Sequence, residues 1–350
     1  MGLFLVIRSK KRPIFRKSMV DKDKMRASVR FPICALLLLA CVMASAPAGG
    51  LARETSPQDR PLAGTVKFGV LPVIQALPLF VAAEMGFFKD EGLDVELATF
   101  NSALEKDVAF TSGQIAGYFG DLQTCIVLIG NGAPLKIVAE VYNSTKGRRT
   151  FALLVSPKFA SKGLKEASSA GVAVSSNTIL DYLTTKFLAS QGIALDRAHM
   201  VEMKNIPIRM QMLLGGQVPA AVLPEPLATL AESKGARVLA DDAGTGLSST
   251  VLAFNETFLG GSPDRARAFL RAVGRASAYV TAKPDDARPI MIRECRIPDE
   301  LRKSFPVPEF PRLTLPSPSH VDDVYQWLSQ KGSVRRKLTY RQMVADGYIP

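Results

Sequence analysis

Asp121 and Glu225 carry the sharpest chemical signal in the chain. Each closes an apolar run that reads as a buried strand, residues 115–119 for Asp121 and 220–223 for Glu225. A carboxylate at a buried strand end needs a donor: an amine, an amide or a hydroxyl. Two such acids facing one ligand would repel a bare anion and suit a neutral or amine-bearing ring. Each also has a plainer use, Asp121 as the cap of the apolar helix that follows and Glu225 as a salt-bridge partner between lobes. Ser175-Ser176-Asn177-Thr178 gathers hydroxyls, an amide and backbone N–H groups on one tight turn before a helix, where the positive dipole end favours an anion or a polar group. Capping by Ser176 or Asn177 is part of that turn's work. Tyr118, Phe119, Tyr142 and Tyr182 are candidates for stacking on a ring, although strand alternation lets only one of Tyr118 and Phe119 face it. Asn143 and Ser144, after the fourth expected strand, are further candidates, and Arg148-Arg149 reads as a solvated pair.

These residues do not add up to a catalytic set. The chain holds no phosphate-binding Gly-rich loop, no Gly-x-Ser-x-Gly and no His-Glu-x-x-His. His199 and His320 are its two histidines, and Cys125 and Cys295 are far apart, so neither a metal cluster nor a disulfide framework is expected. No catalytic residue, metal or cofactor is predicted.

The elements that position the candidates alternate strand and helix. Strands are expected at residues 66–71, 93–98, 115–119 and 135–142. Helices are expected at 77–85 (stopped by Gly86), from the capping box Ser102-Ala103-Leu104-Glu105 with Leu104 and Val108 on its apolar face, and from Asp121 to 129. A second series follows, with strands at 151–155, 171–174, 201–203, 220–223 and 237–240. Its helices begin at Ile179, Pro207 and Leu227. A strand at 250–255 returns to the first series, Ser262-Pro263 opens a long amphipathic helix to residue 280, and a stripe of Val321, Val324, Tyr325 and Leu328 marks a last helix beyond a proline-rich loop at 306–318. The expected architecture is α/β and two-lobed, with the second lobe inserted in the first: residues 65–150 and 246–350 form lobe 1, and 151–245 form lobe 2. Two crossings, near residues 151–157 and 240–250, make a two-strand hinge suited to clamshell closure.

The run Gly86-Phe-Phe-Lys-Asp-Glu-Gly-Leu-Asp-Val-Glu-Leu97, the strand Ser112-Gly-Gln-Ile-Ala-Gly-Tyr-Phe-Gly-Asp121 and the ending Gln342-Met-Val-Ala-Asp-Gly-Tyr-Ile-Pro350 resemble one family. It is that of the periplasmic substrate-binding proteins of ABC importers for nitrate, sulfonate, bicarbonate and thiamine-pyrimidine precursors. The resemblance covers most of residues 63–350. It implies the type II periplasmic binding protein fold, a small-molecule ligand held between the lobes and an inner-membrane ABC permease as partner. It also implies that the strand ending at Asp121 and its counterpart Gly216-Gln-Val-Pro-Ala-Ala-Val-Leu-Pro-Glu225 face each other across the cleft. Ser175, Ser176, Asn177 and Thr178 fall on a ligand-binding loop of the family, and Gln75 falls where relatives carry a polar side chain touching ligand. The ligand itself stays open among thiamine-pyrimidine-like and riboflavin-like rings, sulfonates and small amides. Two other classes compete. One is an enzyme of thiamine-pyrimidine or menaquinone-precursor metabolism on the same fold, although the cysteine-rich iron motif of the former is absent here. The other is a periplasmic sensor module that docks to a membrane receptor.

The chain has 350 residues, 47% hydrophobic and 22% charged, enough for two cores. Its formal charge of +12 is concentrated at the start: residues 1–48 hold ten Lys or Arg and two acids, leaving 34 basic and 30 acidic residues beyond them. A balance of +4, without a basic-aromatic motif, gives no reason to invoke nucleic acid, and a monomer is expected. Residues 25–48 read as a secretory signal: a cationic stretch to Arg30, an apolar core at 33–42, and small-residue cleavage sites ending at Ala46 and Ala48. The cut after Ala48 is favoured, because cleavage after Ala46 would leave Pro47 at the new terminus. Met19 or Met25 is an alternative start. Residues 49–64 form a linker. Leu38-Leu39-Ala40-Cys41 resembles a lipoprotein box and offers Cys41 as a lipidation site in place of ordinary cleavage. Either route places the protein in the periplasm.

Overall fold

The computed structural model describes residues 64–159 and 163–350. The expected signal, Cys41 and the linker up to residue 63 lie outside the described residues. The elements run β1 (Thr65–Val70), α1 (Leu77–Glu84), α2 (Phe87–Asp90), β2 (Asp94–Thr99), α3 (Ala103–Thr111), β3 (Gly117–Asp121), α4 (Leu122–Gly130) and β4 (Leu135–Tyr142). Next come β5 (Phe151–Val155), α5 (Leu164–Ala170), β6 (Val172–Val174), α6 (Ile179–Ser190), β7 (Met200–Glu202), α7 (Ile206–Leu214), β8 (Ala220–Pro224), α8 (Leu227–Ser233) and β9 (Arg237–Asp241). The chain ends with β10 (Thr250–Asn255), α9 (Glu256–Gly261), α10 (Pro263–Ala282), α11 (Pro284–Glu294), α12 (Pro318–Gln330) and α13 (Tyr340–Met343).

Two five-stranded sheets result, ordered β2-β1-β3-β10-β4 and β7-β6-β8-β5-β9. In each, four strands run in one direction and the fourth in spatial order is antiparallel to both its neighbours. That antiparallel strand is the one the chain reaches by crossing: β5 on the way out and β10 on the way back. The chain passes between sheets at residues 143–150 and 242–249. The sequence reading put the first crossing at 151–157, but all five residues of β5 are buried between β8 and β9. A run of five apolar residues that can bury both faces belongs inside a sheet.

Asp242 ties the two crossings together. Its carboxylate accepts the Thr150 N–H at 2.7 Å, the Phe151 N–H at 2.9 Å and the Ser248 hydroxyl. It is fully buried, and burial lifts its pKa above the ordinary value while these donors pull it down.

The first lobe packs around aromatic rings. Phe68 of β1 stacks on Phe269 of α10 at 4.6 Å, Phe88 stacks on the same ring at 4.8 Å, and Phe254 of β10 meets Phe68 edge-on at 5.4 Å. Gly117 leaves room for them. A Cβ there would stand 2.0 Å from Phe68 Cδ2 and 2.7 Å from Phe254 Cε1. Gly117→Ala should therefore destabilise the fold toward the upper end of the ~1–3 kcal/mol typical of core overpacking. Urea unfolding monitored by circular dichroism measures this, and a midpoint equal to the wild type would show that the rings repack freely.

Local chemistry accounts for most element ends. Gly86 at φ +79° stops α1, and Asp121 caps α4 through the Thr124 N–H at 2.7 Å. Ser102 accepts the Glu105 N–H at 3.2 Å, but Glu105 reaches back to the Asn101 N–H, so the expected capping box is only half formed. The expected apolar face of α3 is reversed. Leu104 and Val108 are exposed, whereas Lys106, Ala109 and Phe110 turn onto β1 and β3. Cys125 and Cys295 are buried and unbridged. No helix among the described residues is long and apolar enough to cross a membrane.

Candidate functional site

The two lobes meet over a chamber of about 80 Å³. Lobe 1 lines it with Gln75 before α1, Ala103 at the start of α3, and Phe119 and Asp121 at the end of β3. The inserted lobe contributes Ser175, Thr178 and Ile179 at the start of α6, with Lys204, Ile206 and Arg209 around the start of α7. Helix starts from both sides thus converge on one space, where their positive dipole ends favour an anion or a polar group.

Asp121 reaches this chamber from the end of β3, but much of its carboxylate is committed. Oδ1 accepts both the N–H and the hydroxyl of Thr124 at 2.7 Å. Burial raises its pKa, opposed by those bonds, by Lys106 and by a backbone hydrogen bond from Ile179 on the other lobe. Asp121 is therefore the cap of α4 and a polar stitch across the seam. Behind it lies Lys106, 1% exposed, with Nζ 3.2 Å from the centroid of the Tyr118 ring. Burial pulls this ammonium down to about 8, with Asp107, Cys125 and Asp121 acting the other way. The Tyr118 hydroxyl donates to Asp107.

Arg209 is the strongest polar feature of the opposite wall. It is fully buried, its Nε donates to the Met203 carbonyl at 3.0 Å, Nη2 donates to the same oxygen, and Nη1 donates to Val222 at 3.4 Å. Burial lowers its pKa to about 10, with Glu202 opposing. Neither Arg209 nor Lys204 forms an ion pair among the described residues. A buried guanidinium held by carbonyls keeps its full charge, so this wall favours an anion or a strong acceptor.

Of the residues singled out from sequence, the chamber brings together Gln75, Phe119, Asp121, Ser175 and Thr178. Alternation along β3 turns Phe119 to the chamber and Tyr118 to the opposite face. The others are engaged elsewhere. Ser176 gives its N–H and hydroxyl to Glu202, and Asn177, at φ +63°, accepts the Ser333 hydroxyl at 2.6 Å. Thr178 is the true cap of α6, accepting the Leu180 N–H at 3.3 Å. Asn143 accepts the Ser144 N–H at 2.9 Å and is not on the wall of this chamber. Tyr182 is fully buried, edge-on to Trp327 at 5.3 Å, with its hydroxyl on Asp323 of α12. There it joins a polar clasp between α6 and α12, with Lys186 2.9 Å from Asp323 and Lys331 paired to Asp181. A tyrosine spent in this way has no ring face left for a ligand.

Glu225 takes the plainer of its two expected roles, a salt bridge between the lobes. It pairs with Arg149 Nε at 2.5 Å and accepts the Thr229 N–H at 3.1 Å and hydroxyl at 2.8 Å. Arg149 also pairs with Glu232, so it is no solvated loop residue. Glu225 and Tyr142 line a second chamber, of about 400 Å³, which Gln75 also borders. Asp121 and Glu225 line different chambers and Glu225 is paired with Arg149, so the argument from two free acids against an anion loses its basis.

Lys204, Arg209 and Lys106 were missed. The signal for the first two was available. They flank the start of a helix just after β7, the same strand-end position that pointed to Asp121. Arg209 also lies four residues before the buried Leu213, on the inward face of α7.

Two α/β lobes with this strand order, closed over a chamber at their helix starts, make the periplasmic binding protein fold. The chain belongs to the NMT1-like family, whose model matches residues 59–293. Three solved structures illustrate the fold at low sequence identity. The ligand-binding component of an ABC-type import system from Staphylococcus aureus, with zinc bound, matches with TM-score 0.68 and 17% identity over 81% of this chain and 97% of that one. The alkanesulfonate-binding protein SsuA from Xanthomonas axonopodis pv. citri, bound to MOPS, gives 0.70 and 14% over 81% and 99%. The desulfurization enzyme DSZB gives 0.60 and 15% over 82% and 98%. No curated protein sequence matches the chain.

Proposed function

We propose that this protein is the solute-binding component of an ABC importer, working outside the cytoplasm and handing a small ligand to an inner-membrane permease. In this reading residues 65–150 with 246–350 and residues 151–245 are lobes that close about the crossings at 143–150 and 242–249. The observation that carries it is the chamber lined from both lobes by helix starts. Phe119, Ser175 and Thr178 contact the ligand, and Lys204 and Arg209 meet its negative or acceptor end. Asp121 caps its helix and closes the seam. The cationic wall moves the ligand class toward small oxyanions, of which the sulfonate and nitrate ligands of similar proteins are examples, and away from the amine-bearing rings that a pair of free acids would select.

Mass spectrometry of the material released by denaturing the freshly purified protein tests this. One intact small acid per chain is expected, together with a mature mass starting near Gly49 or a diacylglyceryl mass on Cys41. Small-angle scattering should show a smaller radius of gyration once the stripped protein is reloaded with that acid. Release of a chemically altered product would favour an enzyme on this fold, and an unchanged radius would remove the closing lobes.

A further inference from the structure

The larger chamber has walls that the cleft reading does not use. It encloses about 400 Å³, within the ~300–1,000 Å³ range of small-molecule sites, and it lies beside the hinge. Its walls come from four parts of the fold: residues 74–75 before α1, the end of β4 with the first crossing, the loop at residues 304–308, and Glu225 with the start of α8 in the inserted lobe. Ile74, Tyr142, Phe305 and Pro306 supply apolar surface.

Its polar groups are unequally spent. Arg149 and Glu225 neutralise each other at 2.5 Å. Arg148 forms no ion pair among the described residues; its guanidinium donates a long 3.4 Å bond to the Val307 carbonyl and a hydrogen bond to the Tyr142 hydroxyl, both neutral partners. The amide of Gln75, 4% exposed, borders the chamber with Oε1 buried and unpartnered. An orphaned buried acceptor costs roughly 1–3 kcal/mol unless something fills it. The chamber therefore presents one unneutralised cation, one unused carboxamide and a ring-sized apolar wall.

We propose that this hinge-side chamber is a second small-molecule site, which takes a compact apolar monoanion bearing one O–H or N–H group. Arg148 holds the anionic end and Gln75 receives the donor. Since the occupant touches both lobes beside the crossings, its affinity differs between open and closed forms, and its binding shifts the lobes toward closure.

The probes are 4-hydroxybenzoate, with an anion, a ring and a hydroxyl, and its neutral counterpart 4-hydroxybenzamide. Calorimetry on the mature protein stripped of co-purified ligand should show the acid binding roughly tenfold or more tightly than the amide, as expected for a charge-assisted bond. Arg148→Gln should abolish that preference and Arg148→Lys should keep part of it, with melting temperatures confirming that both variants are folded. A crystal soak should place the acid against Arg148. Equal binding of acid and amide, an acid preference that survives Arg148→Gln, or density for the acid only in the chamber of Ser175 and Arg209 would each overturn the second site. The co-purified ligand, sought separately in the smaller chamber, bears on the importer reading and not on this one.

Discussion

Asp242→Ala should lower the stability of the protein by about 2–4 kcal/mol and loosen its lobes. The wild-type carboxylate holds the N–H groups of Thr150 and Phe151 and the hydroxyl of Ser248, so one buried side chain satisfies donors on both crossings. Hydrogen bonds to a charged group contribute roughly 1.5–3 kcal/mol each, and the relief of a buried carboxylate offsets part of their sum. Asp242→Asn keeps one acceptor and should lose less. The pH dependence has a definite sign. Burial raises the folded pKa of Asp242 above 3.8, so between that folded value and 3.8 the folded state binds more protons than the unfolded one. The wild type should therefore gain stability relative to Asp242→Asn as the pH falls through that window. Urea titrations of the three proteins at neutral and mildly acid pH measure both effects. An alanine variant as stable as the wild type would mean that the crossings are held by their strands alone.

Arg209→Met should cost about 2–4 kcal/mol of stability and weaken ligand binding roughly ten- to a hundredfold. The stability loss follows from the Met203 and Val222 carbonyls, which lose charged donors in a buried place where a thioether cannot replace them. The binding loss follows from the position of Arg209 on the chamber wall. The two consequences separate experimentally. Thermal unfolding reads the first, and calorimetry with the acid recovered from the protein, at a temperature where the variant is folded, reads the second. Unchanged affinity in a destabilised variant would make Arg209 a structural clamp, leaving Lys204 as the cation that meets the ligand.

The chain by itself determined what depends on near neighbours. Apolar runs of the right length became the strands of both sheets, Gly86 and Asp121 ended and began helices through bonds a few residues long, and alternation turned Phe119 and Tyr118 to opposite faces. It also marked Ser175 and Thr178, because helix starts are local features, while Gln75 was marked by the family resemblance; the fold gathers all three at one place. Only the tertiary structure decided which long side chains meet. Glu225 found Arg149, Tyr182 found Asp323, and Asn177 found Ser333, through partners 76, 141 and 156 residues away. α3 showed the same limit: its apolar pattern favoured Leu104 and Val108, yet the fold laid the stem of Lys106 inside. Arg209 became a buried cation for the same reason. The sheet order, not the local pattern, brings the carbonyl of Val222 beside its helix and opposes it to the start of α3 and the end of β3. Charge complementarity between distant elements is a property of that packing, and so the sign of the chamber could be read only after the lobes were assembled.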